Sequence, residues 1–210
     1  MSSEIVFYTN PMSRGRLVRW ILEEIGQPYR TQVLSYGPEM QSPAFLSINP
    51  MGKVPALTHG DAVVTEAAAI CAYLADAFPA AGLAPAPASP ERGAYYRWLF
   101  FGAGPIEAAS SNKGLGFVVP EDKQAMIGYG SLDRVVATLD GALSGRDHLA
   151  GGRFTAADLY IGAQLGWLTG FGVIERRPSF TRYIERLQAR PAFKRAKAID
   201  DALMPKPAGA

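Results

Sequence analysis

The segment from Pro79 to Pro90 divides two different kinds of sequence. Prolines at 79, 85, 87 and 90, spaced largely by alanine, suit a stiff, extended linker. Before it, the hydrophobic period switches between two and 3.6; after it, strand signals stop. A chain of 210 residues can hold two small domains of different class, at roughly 100–200 residues per domain.

Upstream, Ile5-Val6-Phe7-Tyr8-Thr9 is β-branched and aromatic, as a buried strand requires. Val18, Ile21, Leu22 and Ile25 then recur at helical spacing, with Ser13 where an N-cap would stand and Gly26-Gln27-Pro28 as the stop. Tyr29 to Leu34 reads as a second strand, followed by a short helical piece near Pro43 to Ile48. Strands from Val54 to Thr58 and from Ala62 to Val64 flank the turn His59-Gly60-Asp61. A helix from Thr65 to Phe78 carries Ile70, Tyr73, Leu74 and Ala77 on one face, so the order is β-α-β-α-β-β-α.

Beyond the linker, Glu91 to Ser111, Glu121 to Leu143, Thr155 to Gly170 and Phe180 to Leu203 read helical. Thr155 and Asp158 have the spacing of a capping box, and Phe154 and Leu159 that of a hydrophobic staple. Gly162, Gly166 and Gly170 form a smooth stripe that would admit a neighbouring helix. The expected organisation is an α/β domain over 1–78, a linker at 79–90, an all-helical domain over 91–203 and a tail at 204–210.

Composition narrows the function. Hydrophobic residues make up 48% and charged residues 19%, enough for a sizeable core. A net charge of +2 without any Lys/Arg run argues against a nucleic-acid partner. Cys71 is the single cysteine, which excludes an internal disulfide and a multi-cysteine metal site and suits a cytoplasmic protein. Its place inside a helix reads as a small buried hydrophobe. The most apolar stretch, Leu159 to Ile174, falls short of the ~20 residues that span a bilayer, so no membrane partner is expected. Met1 to Asn10 lacks the pattern of a secretory signal. His59 and His148 have no ligand spacing, so surface roles and no bound metal are expected. Tyr95, Tyr96, Trp98, Phe100 and Phe101 point all round one helix, so some must be core and others exposed.

Val54-Pro55 opens a strand, where proline is tolerated. A trans bond suffices there; a cis bond would turn the Val54 backbone outward, free to pair with a peptide-like ligand.

Asn49-Pro50, Gly52-Lys53-Val54-Pro55-Ala56-Leu57 and Thr65-Glu66-Ala67 together resemble the glutathione site of the cytosolic glutathione S-transferase family, in its bacterial form. Phe154-Thr155-Ala156-Ala157-Asp158 is similar to that family's capped core helix. The resemblance implies a thioredoxin-like α/β N-terminal domain and an all-α C-terminal domain. It implies a homodimeric detoxification enzyme that ionises bound glutathione, its co-substrate, and adds the thiolate to a small hydrophobic electrophile. By the same resemblance, the Val54 backbone beside Pro55 would pair with the cysteinyl moiety. Glu66 would hold the γ-glutamyl amino group, the backbone of Ala67 the neighbouring carboxylate, and Lys53 the glycyl carboxylate. Ala67 departs from the family's usual Ser, which removes a hydroxyl contact.

Three residues compete to activate the thiol: Ser13, as in the theta and delta classes; Tyr8, as in the alpha, pi and sigma classes; and Asn10, as an amide donor. A backbone N–H is a further possibility. The alternative of a different kind is a non-catalytic interaction or ligand-carrier protein on the same fold.

Overall fold

A computed structural model describes residues 4–205. Of the expected tail at 204–210, residues 206–210 lie outside the described residues. The chain divides into two compact units: residues up to 81 together with those from 189 on, and residues 82–188.

The first unit is built on a four-stranded mixed sheet in the order β2-β1-β3-β4. Strand β1 (Ile5–Thr9) runs parallel to β2 (Tyr29–Val33) and antiparallel to β3 (Ala56–His59), which pairs antiparallel with β4 (Ala62–Thr65). A parallel β1–β2 pair needs a crossover, and α1 (Gly15–Ile25) supplies it. Leu17, Val18, Ile21 and Leu22 of α1 are buried, as are Ile70, Cys71 and Leu74 of α3 (Ala67–Ala77). The opposite side holds Leu34, Met40, Phe45 and Ala56, with Phe45 on the short α2 (Pro43–Leu46). This is the thioredoxin-like α/β arrangement that the resemblance implies, with strand ends shifted by one or two residues from those expected.

In the second unit, α4 (Glu91–Phe101) passes through a π-helical turn at Gly102–Ile106 into α5 (Glu107–Gly114). The stretch from Glu91 to Ser111 is helical as expected, with a π-helical turn inside it: Pro105 has no N–H for the ladder, and the Gly102 carbonyl takes a bond from Gln164 Nε2 at 3.0 Å. The stretch from Glu121 to Leu143 is divided. A 3-10 turn at Glu121–Met126 precedes α6 (Leu132–Leu143), with left-handed Gly130 between them. Helix α7 (Ala156–Gly170) runs through the centre, buried on nearly all sides over its first half. Asp158 makes the reciprocal capping contact expected of it. It accepts from the Thr155 backbone N–H and hydroxyl at 2.8 and 2.9 Å, and also from the Leu149 N–H and the Tyr183 hydroxyl.

Only one member of the glycine stripe is used for close packing. A Cβ on Gly162 would run into Leu187 of α8 (Pro178–Gln188), whereas Gly166 has ordinary space and Gly170 meets nothing. The linker is less free than its composition implies. Leu83, Ala84 and Pro85 accept hydrogen bonds from Ala156, Arg153 and Arg92 of the helical unit.

The helix expected from Phe180 to Leu203 is two helices, α8 and α9 (Pro191–Ala202). Pro191 forces Arg190 out of helical geometry, to φ −61° and ψ 135°. The consequence is topological: α9 packs with the first unit, not with the helical one. Arg19 of α1 is 1% exposed and donates to Asp200 of α9, also 1% exposed, at 2.7 Å. Burial pushes the Asp200 carboxyl up, against the downward pull of Arg19. Arg190 grips Glu24 through two bonds of 2.6 and 2.8 Å, and Arg195 meets Glu23 at 3.0 Å. Trp20 stacks edge-on against Phe193, with ring centroids 4.9 Å apart.

Two outcomes check this packing. Gly162→Ala should destabilise the protein by about 1–3 kcal/mol through overpacking against Leu187, read as a lower urea midpoint with unchanged slope. Ser179 and Arg177 hold the Asp140 carboxyl below the usual carboxylate range. Its contribution is therefore complete above the unfolded-state pKa of about 4 and is lost as pH falls through the lower folded value. Denaturant midpoints should drop more steeply below about pH 4 in the wild type than in Asp140→Asn.

Candidate active site

Strand register collects the site. Tyr8 of β1 pairs with Ala56 of β3, and Ala56 pairs with Thr65 of β4. One end of the sheet therefore carries the exit of β1 (Thr9, Asn10), the entry to β3 (Lys53, Val54, Pro55) and the exit of β4 (Glu66). The N-termini of α1 and α3 begin at the same end, because each helix follows the strand that finishes there. Residues separated by more than fifty positions meet for this reason.

The Val54–Pro55 bond is cis. Val54 is half-buried and packs with Tyr8 and Ile48 against the Leu34, Met40, Phe45 and Ala56 cluster. Among the described residues, its backbone N–H and C=O enter no hydrogen bond. Asn49, 3% exposed, shapes the loop before it: its amide donates to the Lys53 carbonyl at 2.7 Å and its oxygen accepts from the Met51 N–H at 3.1 Å. This positioning role was not assigned from sequence, although an Asn-Pro pair is the signal for such a turn.

Glu66 stands at φ 65° and ψ 120°, a left-handed conformation for a residue with a side chain. Such backbone outliers collect where a site over-determines geometry. The Glu66 carboxylate does not cap α3, and both Glu66 and Lys53 are exposed. Lys53 precedes Val54 in the chain and register sets Glu66 next to Pro55, so one positive and one negative residue neighbour this dipeptide. Ala67, 8% exposed, leads the first turn of α3, whose N–H groups have no intrahelical partners.

The turn between β1 and α1 arranges the three candidate activators differently. Asn10 is 6% exposed and spends its amide on the fold, donating to the Leu34 carbonyl at 2.8 Å and accepting from the Met12 N–H at 2.9 Å. Tyr8 is held by its ring, 5.7 Å from that of Phe45. Ser13 Oγ donates to the Asn10 carbonyl at 2.7 Å and accepts from the Gly15 N–H at 2.9 Å. The capping part expected of Ser13 is thus present one residue early, with Arg14 in the boundary position of α1. Gly15 was not singled out from sequence. A Cβ there would run into the Thr9 hydroxyl, so only glycine lets α1 start this close to β1.

Other titratable groups stand apart. Cys71 is fully buried and its thiol is pushed up to about 12 by burial, which makes it an inert core residue as expected. His59 is not a plain surface residue: it is half-buried, 2.9 Å from the Tyr73 hydroxyl and beside the Phe78 ring.

Comparison with known proteins bears directly on this geometry. Residues 12–77 match the glutathione S-transferase N-terminal domain and residues 97–191 the glutathione S-transferase C-terminal domain. A solved glutathione transferase from Methylococcus capsulatus is 30% identical and superposes with a TM-score of 0.78, covering 94% of this chain and 99% of its own. The chain belongs to the glutathione S-transferase family. The sequence expectation of a glutathione transferase with this pair of folds is met. Glutathione S-transferase A of Pleuronectes platessa is 29% identical over 184 residues, 83% of this chain and 82% of that one. A sphingomonad glutathione S-transferase complexed with glutathione is 30% identical at a TM-score of 0.75, covering 93% and 98% of the two chains.

Gly15→Ala tests the candidate site from its scaffold. It should displace the start of α1 and weaken thiol ionisation on bound glutathione, raising its pKa by about one unit in an ultraviolet titration.

Proposed function

We propose that this glutathione transferase binds glutathione at the β1–β3–β4 end of the sheet, ionises its thiol and adds the thiolate to a small hydrophobic electrophile. The observation that carries the reading is the unpaired Val54 backbone, with exposed Lys53 next to it in the chain and exposed Glu66 beside Pro55 by strand register. A tripeptide with a free backbone, an amino group and two carboxylates is complementary to that set. The Val54 N–H and C=O pair with the cysteinyl unit, which leaves its sulfur facing the β1–α1 turn. Glu66 takes the γ-glutamyl amino group, and the Ala67 N–H with the α3 N-terminus takes the adjacent carboxylate. Lys53 takes the glycyl carboxylate.

A free thiol of pKa ~8.5 is mostly protonated at neutral pH, so catalysis needs a donor aimed at sulfur. Of the three candidates, Ser13 fits best. Its hydroxyl can turn from the Asn10 carbonyl to a thiolate while the α1 N-terminus adds its partial positive charge. The Asn10 amide is committed to the fold, and Tyr8 sits on a strand without a helix terminus behind it. Ionisation and proximity to the bound electrophile together supply the rate. The family supports a homodimer working in the cytoplasm in detoxification. Among the described residues, no helix is long and apolar enough to cross a membrane.

Ultraviolet titration of glutathione on the pure protein tests the reading. The bound thiol should ionise well below pH ~8.5, and Ser13→Ala should raise its pKa by about 1–2 units with affinity nearly unchanged. If Tyr8→Phe has that effect and Ser13→Ala does not, Tyr8 is the donor. Glu66→Ala should weaken binding by about 1–3 kcal/mol. Binding without ionisation would indicate a ligand carrier, and absence of binding an interaction protein.

A further inference from the structure

The C-terminal helix reaches the β1–α1 turn through one guanidinium. Arg16 Nε donates to the Pro11 carbonyl at 2.6 Å, and its Nη1 donates to Asp201 of α9 at 2.8 Å. Lys197 also pairs with Asp201, and these two cations hold its carboxyl below the usual range. The Pro11 carbonyl belongs to the same peptide plane as the Met12 N–H, which donates to Asn10 Oδ1 at 2.9 Å. That plane is therefore gripped on both sides, by Asn10 just after β1 and by Arg16 from α1. Ser13, the next residue, inherits its orientation from it.

We propose that Asp201 is a positioning residue for thiol activation: by fixing the Arg16 guanidinium it fixes the Pro11–Met12 peptide and aims Ser13. The inference rests on Ser13 as the donor in the proposed function. A planar guanidinium with two of its edges engaged has little rotational freedom, whereas one bound only at Pro11 can swing about that bond. The Asp201 carboxylate bonds to Arg16 and Lys197 and not to the turn itself. Its side chain is 41% exposed, and the cations that its removal would leave, Arg16 and Lys197, are 26% and 58% exposed, so neither is stranded in the core.

Charge and position make opposite forecasts, which gives the test its sign. Deleting a nearby carboxylate by electrostatics alone would favour the thiolate and lower its pKa. Losing the aim of Ser13 raises it. In full-length protein titrated with glutathione, Asp201→Ala is expected to raise the bound-thiol pKa by about 0.5–1 unit, with Kd within about twofold. Asp201→Asn keeps the acceptor and drops the charge, and is expected to stay at or slightly below the wild-type value. Amide exchange at Met12 and Gly15 should quicken in Asp201→Ala and not in Asp201→Asn.

An unchanged or lowered pKa in Asp201→Ala, with only the melting temperature moved, would reduce Asp201 to an anchor for α9 and overturn the proposal. Failure of the underlying reading is seen separately, as wild-type protein that binds glutathione without ionising it or a bound-thiol pKa indifferent to Ser13→Ala. Either overturns the catalytic role. Unaltered exchange at Met12 and Gly15 would overturn the mechanical link itself.

Discussion

A guanidinium cannot be buried alone, and Arg19 is buried almost completely. It lies on the apolar face of α1, its charge over the Phe7 and Tyr29 rings at 5.2 and 5.9 Å from their centroids. Its hydrogen bonds run to Thr31, to the Tyr29 hydroxyl and to Asp200. The neutralising carboxylate comes from α9, 181 residues further along the chain. Removing either partner would strand a charge at a cost of several kcal/mol, so the C-terminal helix is obliged to return to the first unit. Glu23, Glu24 and Trp20 then extend the same contact along α1, with Arg195, Arg190 and Phe193 opposite them.

That closure matters because α1 also begins at the candidate site. Its first turn stands where β1 ends, close enough that Gly15 has no room for a side chain. The anchored helix and the sheet register act on the same few residues from two directions. Register brings Val54, Pro55 and Glu66 to the β1 exit, and the turn from Asn10 to Gly15 faces them. Most polar groups of that turn are occupied by the fold. The Asn10 amide builds it, the Ser13 hydroxyl caps it, and the Gly15 N–H is taken. By contrast, the Val54 backbone and the Lys53 and Glu66 side chains are presented outward. A site that is rigid at its base and open along its margin suits a ligand with several charged termini.

Much of the first unit was legible because each strand and helix there carries its own period, and because the hairpin turn at His59-Gly60-Asp61 is local chemistry. The capping pair Thr155 and Asp158 was legible for the same reason. Two departures beyond the linker also have local causes, in proline. Pro105 lies inside a π-helical turn and Pro191 divides α8 from α9, yet in each case apolar spacing continues past the proline and suggests one regular helix. The glycine stripe misled differently: spacing places Gly162, Gly166 and Gly170 on one face, but only the approach of Leu187 decides which of them is needed.

The sequence by itself determined the two fold classes, the segment between them and the identities of the residues gathered around Val54–Pro55, since these follow from period, turn chemistry and motif. The tertiary structure decided the rest. It chose a cis bond before Pro55, a left-handed backbone at Glu66, and amide contacts that commit Asn10 to the turn. It also assigned α9 to the first unit and linked Asp201 to Pro11 through Arg16. The physical reason is range. Period and capping act within a few residues, whereas burial of a charge and the pinning of a peptide plane are settled by partners that only folding brings near.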